Sequence, residues 1–338
     1  MSSHHALQFI QTREVPSTQP RDASHILGMF DLGDAALPQA PPWPCQHIAM
    51  PLLGKPDTSL QEYWYSKHTC HPGHIGDIHF SRNAEVMFGV IDIDESSMPT
   101  TAEQQLQSAA ETAYRQIFAL LQQQDFPYLW RMWNYIPRIN QIEHGLERYR
   151  QFNIGRHQAF AAYTRPVGMS PAACALGTQA GKVSIAFMAG RSPATGIENP
   201  RQISAFAYPV EYGPRSPTFT RAALLDLEEE QWLFISGTAS IVGHQTLHSG
   251  DVMAQTQESM RNIAVLLEQA KIAGLNQTIT LPELEYRVYI RHPADYPQVA
   301  ASLSQQLGKR LNAVYVEADI CRADLLVEIE AHGRVARG

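Results

Sequence analysis

The sequence has no excess of positive charge. Its 338 residues carry 26 Lys and Arg against 33 Asp and Glu, a net charge of −7. That argues against a nucleic-acid binder, which presents a basic face to the phosphates. Anionic small molecules are not excluded, because a few local arginines suffice to hold them. Cysteine is scarce, with Cys45, Cys70, Cys174 and Cys321 and no close pairing. No disulfide framework can be read from these, and a reducing, cytoplasmic setting is expected. No apolar run approaches the ~20 residues of a membrane span. The opening MSSHHALQFIQTREVPSTQPRD lacks a basic n-region followed by an apolar h-region, so no signal peptide is expected. Neither Gly213 nor Gly237 belongs to a GxGxxG, and there is no P-loop, so nucleotide binding has no motif support.

What is there suffices for a full core: 44% of residues are hydrophobic, and the length predicts roughly two domains. Residues 1–45 are polar and rich in proline (Pro16, Pro20, Pro38, Pro41, Pro42, Pro44) and are expected to be irregular. Residues 46–195 form a first domain and 200–338 a second, joined by the Pro-, Gly- and Asn-rich stretch Ser192–Arg201. In the first, VMFGVIDI within 84–93 reads as a buried strand. Thr100 and Glu103 read as a capping box, followed by a helix with Leu106, Ala109, Ala113, Ile117 and Leu120 on one face. Tyr128–Tyr135 is an aromatic strand, better read as core than as a base-stacking platform, given the acidic chain. A helix at 143–163, kinked near Asn153–Gly155, and a strand at Lys182–Ala189 follow. In the second domain, strands are expected at Phe206–Val210, Phe219–Leu224, Glu230–Ser236 and Leu284–Arg291. Helices are expected at Asp251–Ala270, with Asp251 near its N-cap, and at Asp295–Leu307.

Set side by side, the halves repeat one order: strand, strand, helix, strand, helix, strand. The fold class is therefore α+β, two copies of one unit, each a mixed sheet with its helices on one face. The chain ends in Leu311–Gly333, read as strands at Ala313–Ala318 and Leu325–Ala331 around a loop. Alternation sets Leu326, Glu328 and Glu330 on one face and Leu325, Val327, Ile329 and Ala331 on the other. A carboxylate on an otherwise apolar strand beside the thiol of Cys321 is a place for proton chemistry.

YGPRSPTF at 212–219, LFISG at 233–237, AQTQESMRNIAVLLEQA at 254–270, VYIRHPADY at 288–296 and VEADICRADLLVEIEA at 316–331 resemble the RidA/YjgF family. The order and spacing agree over about 130 residues. The resemblance implies a chorismate-mutase-like α+β fold, often assembled as trimers with sites in the clefts between subunits, and a functional glutamate at Glu328. Two departures stand out: the family's carboxylate-binding arginine falls on Ala313, and the tyrosine of its GPYS motif on Arg215. The anchor for imine deaminase chemistry is thus missing. The whole chain resembles the chorismatase family through ERYRQFNIGR at 147–156, GMSPAACALG at 168–177, NPRQISAFAYPVEYGPRSPTFTRA at 199–222 and SGTASIVGH at 236–244.

That second resemblance implies an enzyme for chorismate that needs no metal or organic cofactor. It releases pyruvate together with either a cyclohexadiene diol acid or a hydroxybenzoate. Such a substrate carries two carboxylates, a ring hydroxyl and an enolpyruvyl ether. Arginine suits the carboxylates through its planar fork; Arg156, Arg215 and Arg291 are the candidates, with Arg221 and Arg138 in reserve. Tyr149, Tyr208 and Tyr212 are candidate hydroxyl partners. Cleaving the enol ether needs an acid of raised pKa to protonate its methylene carbon. Glu328 fits on an apolar strand; Glu330 is its rival on the same face, and the resemblance favours Glu328. Cysteine at 321 goes, in the resembled family, with hydroxybenzoate formation, together with a small residue at the Gly237–Ala239 strand end. It would steer the cation toward capture by the ring hydroxyl instead of water, giving 3-hydroxybenzoate, with 4-hydroxybenzoate as a co-product. The alternatives are the hydrolytic subtype and a non-catalytic binder of small carboxylates. Either a monomer or a trimer is compatible with the sequence. A run of His68, Cys70, His71, His74, Asp77 and His79 has zinc-type ligands, but not at the spacing of a structural site, and is read as a loop of solvated histidines.

Overall fold

The computed structural model describes residues 7–12, 23–34, 37, 39–54, 59–163, 170–308 and 311–337. Pro16, Pro20, Pro38 and the first two residues of the 168–177 motif lie outside them. The N-terminal region is not irregular as expected. It supplies β1 (Leu7–Thr12), β2 (Ile26–Leu32) and β3 (Cys45–Ile48), which join β4 (Leu60–Ser66) in a sheet of order β1-β4-β2-β3. The prolines conceal ILGMFDL, a strand buried at every position. A strand covered on both faces shows no alternation to betray it.

The first α+β unit follows with β5 (His71–Ile75), β6 (Ile78–Arg82), β7 (Val86–Ile93), α1 (Gln105–Gln124) and β8 (Tyr128–Pro137). A ribbon, β9 (Ile142–Glu143) and β10 (Leu146–Glu147), then leads to α2 (Arg148–Ala162), β11 (Ala172–Thr178) and β12 (Val183–Gly190). The second unit holds β13 (Ala194–Ile197), β14 (Ala222–Asp226), β15 (Glu230–Ala239) and a ribbon of β16 (Ile241–Val242) and β17 (Gln245–Thr246). It continues through α3 (Val252–Ile272), β18 (Glu285–Ile290), α4 (Tyr296–Leu307), β19 (Asn312–Glu317), β20 (Asp319–Ile320) and β21 (Val327–Ala336).

The duplication is written in the sheet orders. The first unit runs β6-β7-β12-β8-β11 and the second β14-β15-β21-β18-β19. In each, the last two strands pair parallel and the others antiparallel. The RidA/YjgF-like, chorismate-mutase-like arrangement is therefore present twice. One face of each sheet is covered by its own two helices. Leu106, Ala109, Ala113, Ile117 and Leu120 of α1 pack onto the first sheet. Met260, Ile263, Leu266 and Leu267 of α3 pack onto the second. The other faces meet each other and the N-terminal sheet in one core containing Trp64, Trp130, Trp133, Trp232, Phe234 and Tyr289. The aromatic strand is thus core.

Several local expectations are corrected. The helix start at Thr100 is replaced by a 3-10 turn at Ala102–Gln104, and Thr100 Oγ1 bonds the Gln104 side chain at 3.1 Å instead of a backbone N–H. By contrast, the Asp251 side chain does cap α3, accepting from Ala254 N at 2.9 Å. α2 is not kinked at Asn153–Gly155. A Cβ at Gly155 would strike the backbone oxygen of Gln107, so this glycine permits close packing of α2 on α1. The strand expected at 206–210 is two 3-10 turns, Ala205–Ala207 and Val210–Tyr212, since Pro209 withholds a ladder donor. The Pro72–Gly73 pair lies inside β5, and the His74 and His79 rings meet at a tilt of 59° across the hairpin, with centroids 4.5 Å apart.

Candidate active site

Two features of the fold build a cleft between the units. The first is β20, which leaves the second unit's sheet and pairs with β11 of the first, Leu176 opposite Ile320 and Gly177 opposite Asp319. This carries the loop after it, with Cys321 and Arg322, across the junction. The second is an irregularity in β15, whose register against β21 shifts between Ile235 and Thr238. There Gly237 faces Glu328.

The cleft has a volume of about 600 Å³ and is lined by Tyr149, Tyr208, Tyr212, Phe219, Arg221, Gly237, Ala239, Cys321, Arg322 and Glu328, among others. An annex of about 30 Å³ extends inward past Glu328 to Arg156, Ala173, Cys174 and Ala175. The dimensions suit one small molecule.

Glu328 is 4% exposed. Burial, seconded by the charge of Glu330, pushes its carboxyl up to about 8. It is therefore an acid that keeps its proton at neutral pH. Glu330, two residues on, has a different fate. Arg131 and Arg287 both bind it, and Tyr289 Oη donates to its Oε1 at 3.1 Å. Arg287 is bound in turn by Glu62. Glu330 does not line the cleft. Packing from the N-terminal sheet and β8 thus separates two carboxyls that alternation set on one face.

Cys321 Sγ lies 3.9 Å from Glu328 Oε2. Burial, and then the neighbouring Glu328, raise the thiol well above its usual range. It is a neutral, apolar wall, not a thiolate. Tyr149 Oη is likewise held in its neutral form, by burial first and the nearby Cys321 second.

Four guanidiniums border the cleft and its annex: Arg150 is paired with Glu147, Nε to Oε2 at 3.3 Å, and the other three each have a buried N–H that lacks a hydrogen-bond partner. Arg156 spends Nη2 on Asn153 Oδ1 at 2.7 Å and leaves Nε unpaired. Arg221 donates from Nη2 to Ile203 O and Tyr208 Oη, both at 2.8 Å, and also leaves Nε unpaired. Arg322 donates from Nη1 to His244 O at 2.8 Å, lies 4.0 Å above the Tyr212 ring, and leaves Nη2 unpaired. Together these side chains give the cleft a cationic wall that suits an anionic ligand.

The residues singled out in the sequence divide accordingly. Glu328, Cys321, Arg156, Tyr149, Tyr208, Tyr212, Gly237 and Ala239 all converge on the cleft or its annex. Arg215 does not: it is exposed, while Pro217 and Phe219 from the same segment reach the cleft. Arg291 is consumed by the protein. Its Nε donates to Leu325 O, Nη1 to Asp319 and Asn140, and Nη2 to Ile320 O and Arg322 O, at 2.5–3.1 Å. It staples the 319–326 loop that presents Cys321. Arg221, held in reserve, lines the cleft, whereas Arg138 is spent on Glu95 and Glu143. Arg322 was missed, although it adjoins Cys321 and shared that residue's signal.

Known proteins resemble this chain over most of its length. The family model "Chorismatase FkbO/Hyg5-like, N-terminal" matches residues 62–189. A chorismatase of Streptomyces rapamycinicus is 34% identical over 295 residues, 85% of this chain and 86% of that protein. A 3-hydroxybenzoate synthase of Streptomyces hygroscopicus is 37% identical over 231 residues, 66% of this chain and 68% of that one. A solved chorismatase structure, 29% identical, superposes with a TM-score of 0.87 across 97% of this chain and 98% of that chain.

Proposed function

This chain belongs to the chorismatase family and is an enzyme, and from that premise we propose that it cleaves chorismate to 3-hydroxybenzoate and pyruvate, with Glu328 as the proton donor. The observation that carries the reading is a buried carboxyl, protonated at neutral pH, on the wall of a cleft ringed by unpaired guanidinium donors.

In the proposed reaction the two carboxylates of chorismate are held by Arg221 and Arg322 at the cleft and Arg156 at its annex. Arg215 has no part, since it stands outside. The Glu328 proton goes to the methylene carbon of the enolpyruvyl ether, which turns the ether carbon into an oxocarbenium centre. The neighbouring ring hydroxyl oxygen attacks the ring carbon that bears this activated ether, the ring–ether C–O bond breaks and pyruvate leaves as its keto form, while the hydroxyl proton passes to the Glu328 carboxylate. The epoxide so formed opens at the former hydroxyl carbon as Glu328 protonates its oxygen, and loss of the proton from the carbon that keeps the oxygen, returned to Glu328, gives 3-hydroxybenzoate. Atoms balance without water. The cation is stabilised by the Glu328 carboxylate just formed on the buried wall of the cleft. Cys321 and Gly237 favour the internal capture: neither places a hydrogen-bonding side chain where an attacking water would be held. The hydrolytic route, ending in a diol acid, differs by the entry of one water.

Each sheet junction needed for the cleft lies within one chain, so a single chain suffices to form it. No helix among the described residues is long and apolar enough to cross a membrane; four unpaired cysteines support a cytoplasmic setting. The test is chorismate supplied to purified protein and chromatography of what leaves. Equimolar 3-hydroxybenzoate and pyruvate are expected. A diol acid as the main product would assign the hydrolytic subtype, and binding without turnover would contradict catalysis.

A further inference from the structure

The duplicated unit carries its site position twice. In the second unit Glu328 pairs with Tyr289 on one side and Ala239 on the other. In the first unit the same two registers give Ser184, paired with Tyr135 and Asp92. Tyr289 and Tyr135 are themselves counterparts, and their hydroxyls meet at 2.8 Å. Ser184 is therefore the first unit's counterpart of Glu328. A second cleft opens there, of about 200 Å³, lined by His47, Ala49, Asp92, Tyr135, Thr178, Ala180, Gly181, Lys182 and Ser184. The catalytic cleft is completed by a strand of the neighbouring sheet, β11, and this one is completed by β3 and the residues after it.

We propose that this second cleft is a non-catalytic binding site for a small hydroxy-carboxylate. Ser184 in place of the glutamate removes the acid that its counterpart supplies. The binding groups remain. Thr178 is 7% exposed, and its Oγ1 has no hydrogen-bond partner. Lys182 supplies a cation, and no carboxylate among the described residues lies within ion-pairing distance of it. His47 is fixed by Asp31, Nδ1 to Oδ2 at 2.8 Å, with Asp31 fully buried. Ser184 Oγ accepts from Gln46 Nε2 at 2.9 Å, and Asp92, its neighbour across the strands, offers an acceptor for a ligand hydroxyl. A carboxylate on Lys182 and Thr178 with a hydroxyl toward Asp92 satisfies each of these groups. The volume limits the ligand to something well below drug size.

The test is calorimetric titration of the whole protein with two probes, lactate and 3-hydroxybenzoate, for wild type, Lys182→Met and Thr178→Val. At least one probe is expected to bind with an equivalent whose dissociation constant rises tenfold or more in Lys182→Met and several-fold in Thr178→Val. Chorismate turnover should be unchanged in both variants, which also shows that they fold. Which probe responds separates an aliphatic from an aromatic ligand. Binding of both probes that is indifferent to Lys182→Met and Thr178→Val, or no binding of either, would overturn the proposal.

Discussion

A Cβ at position 237 would overlap Glu328 Oε1 and lie 2.8 Å from Glu328 Cδ, with Cys174 Cβ only 3.1 Å away on the other side. Glycine is required here because the acid occupies the space a side chain would fill. Gly237→Ala should fold, since the carboxyl end can swing aside, but the acid will then be displaced by an ångström or more. Turnover of chorismate is expected to fall by ~10–100-fold, the scale of a misplaced catalytic group. Steady-state kinetics with circular dichroism as a check on folding would measure it. Full turnover with the carboxyl unmoved in a crystal structure would refute the requirement.

The raised pKa of Glu328 fixes a pH dependence. The protonated acid is the active form, so kcat/KM is expected to be sustained below about 8 and to decline tenfold per pH unit above it. Stability moves in the same sense. Between the ordinary value of 4.5 and the folded value of about 8, the native state holds a proton that the unfolded state has released. Wild type should therefore lose stability relative to Glu328→Gln across that window, by at most ~5 kcal/mol, and run parallel to it above. Denaturant titrations of both proteins at pH 4, 6, 8 and 9 check the sign.

Glu330 contributes to that pKa through its charge. Glu330→Gln should shift the basic limb of the kcat/KM profile toward lower pH, because the repelling charge goes and Arg131 is left unneutralised. It should also destabilise the fold by ~3–5 kcal/mol, as expected on breaking a buried ion pair. A structural role alone would lower stability and leave the limb where it was.

Cys321 should resist alkylation. With its thiol raised by burial and by Glu328, iodoacetamide at pH 8 is expected to modify it at less than a tenth of the rate of a free cysteine. Cys321→Gln places an amide beside the reacting centre that can hold a water. Its product mixture is expected to shift toward the diol acid, read by chromatography. An unchanged mixture would remove Cys321 from the choice of product.

Much of this was legible in the sequence, for identifiable reasons. The repeated strand–helix order survived because each unit buries one sheet face under its own helices, and that burial writes helical periodicity into α1 and α3. Glu328 could be told from Glu330 by its motif and not by alternation, since what parts the two is Arg131 and Arg287 arriving from other strands. The N-terminal sheet was hidden by prolines and by the two-sided burial of β2. Arg215 looked well placed in a Gly-Pro turn, but the following residues turn into the cleft and it does not. Arg291 sat at the right strand end, yet its hydrogen bonds serve the loop bearing Cys321. The second cleft was invisible until the registers of β12 and β21 could be laid over each other.

The central claim is that Glu328 delivers the proton that breaks the enol ether. Pyruvate release from chorismate by Glu328→Gln, followed with a coupled assay and paired with a titration showing that the variant still binds chorismate, tests it most directly. The expected result is binding within a few-fold of wild type and a rate lower by at least 10³, of the order by which a positioned acid accelerates such a step. Pyruvate release at a near-normal rate from the folded, chorismate-binding variant would contradict it.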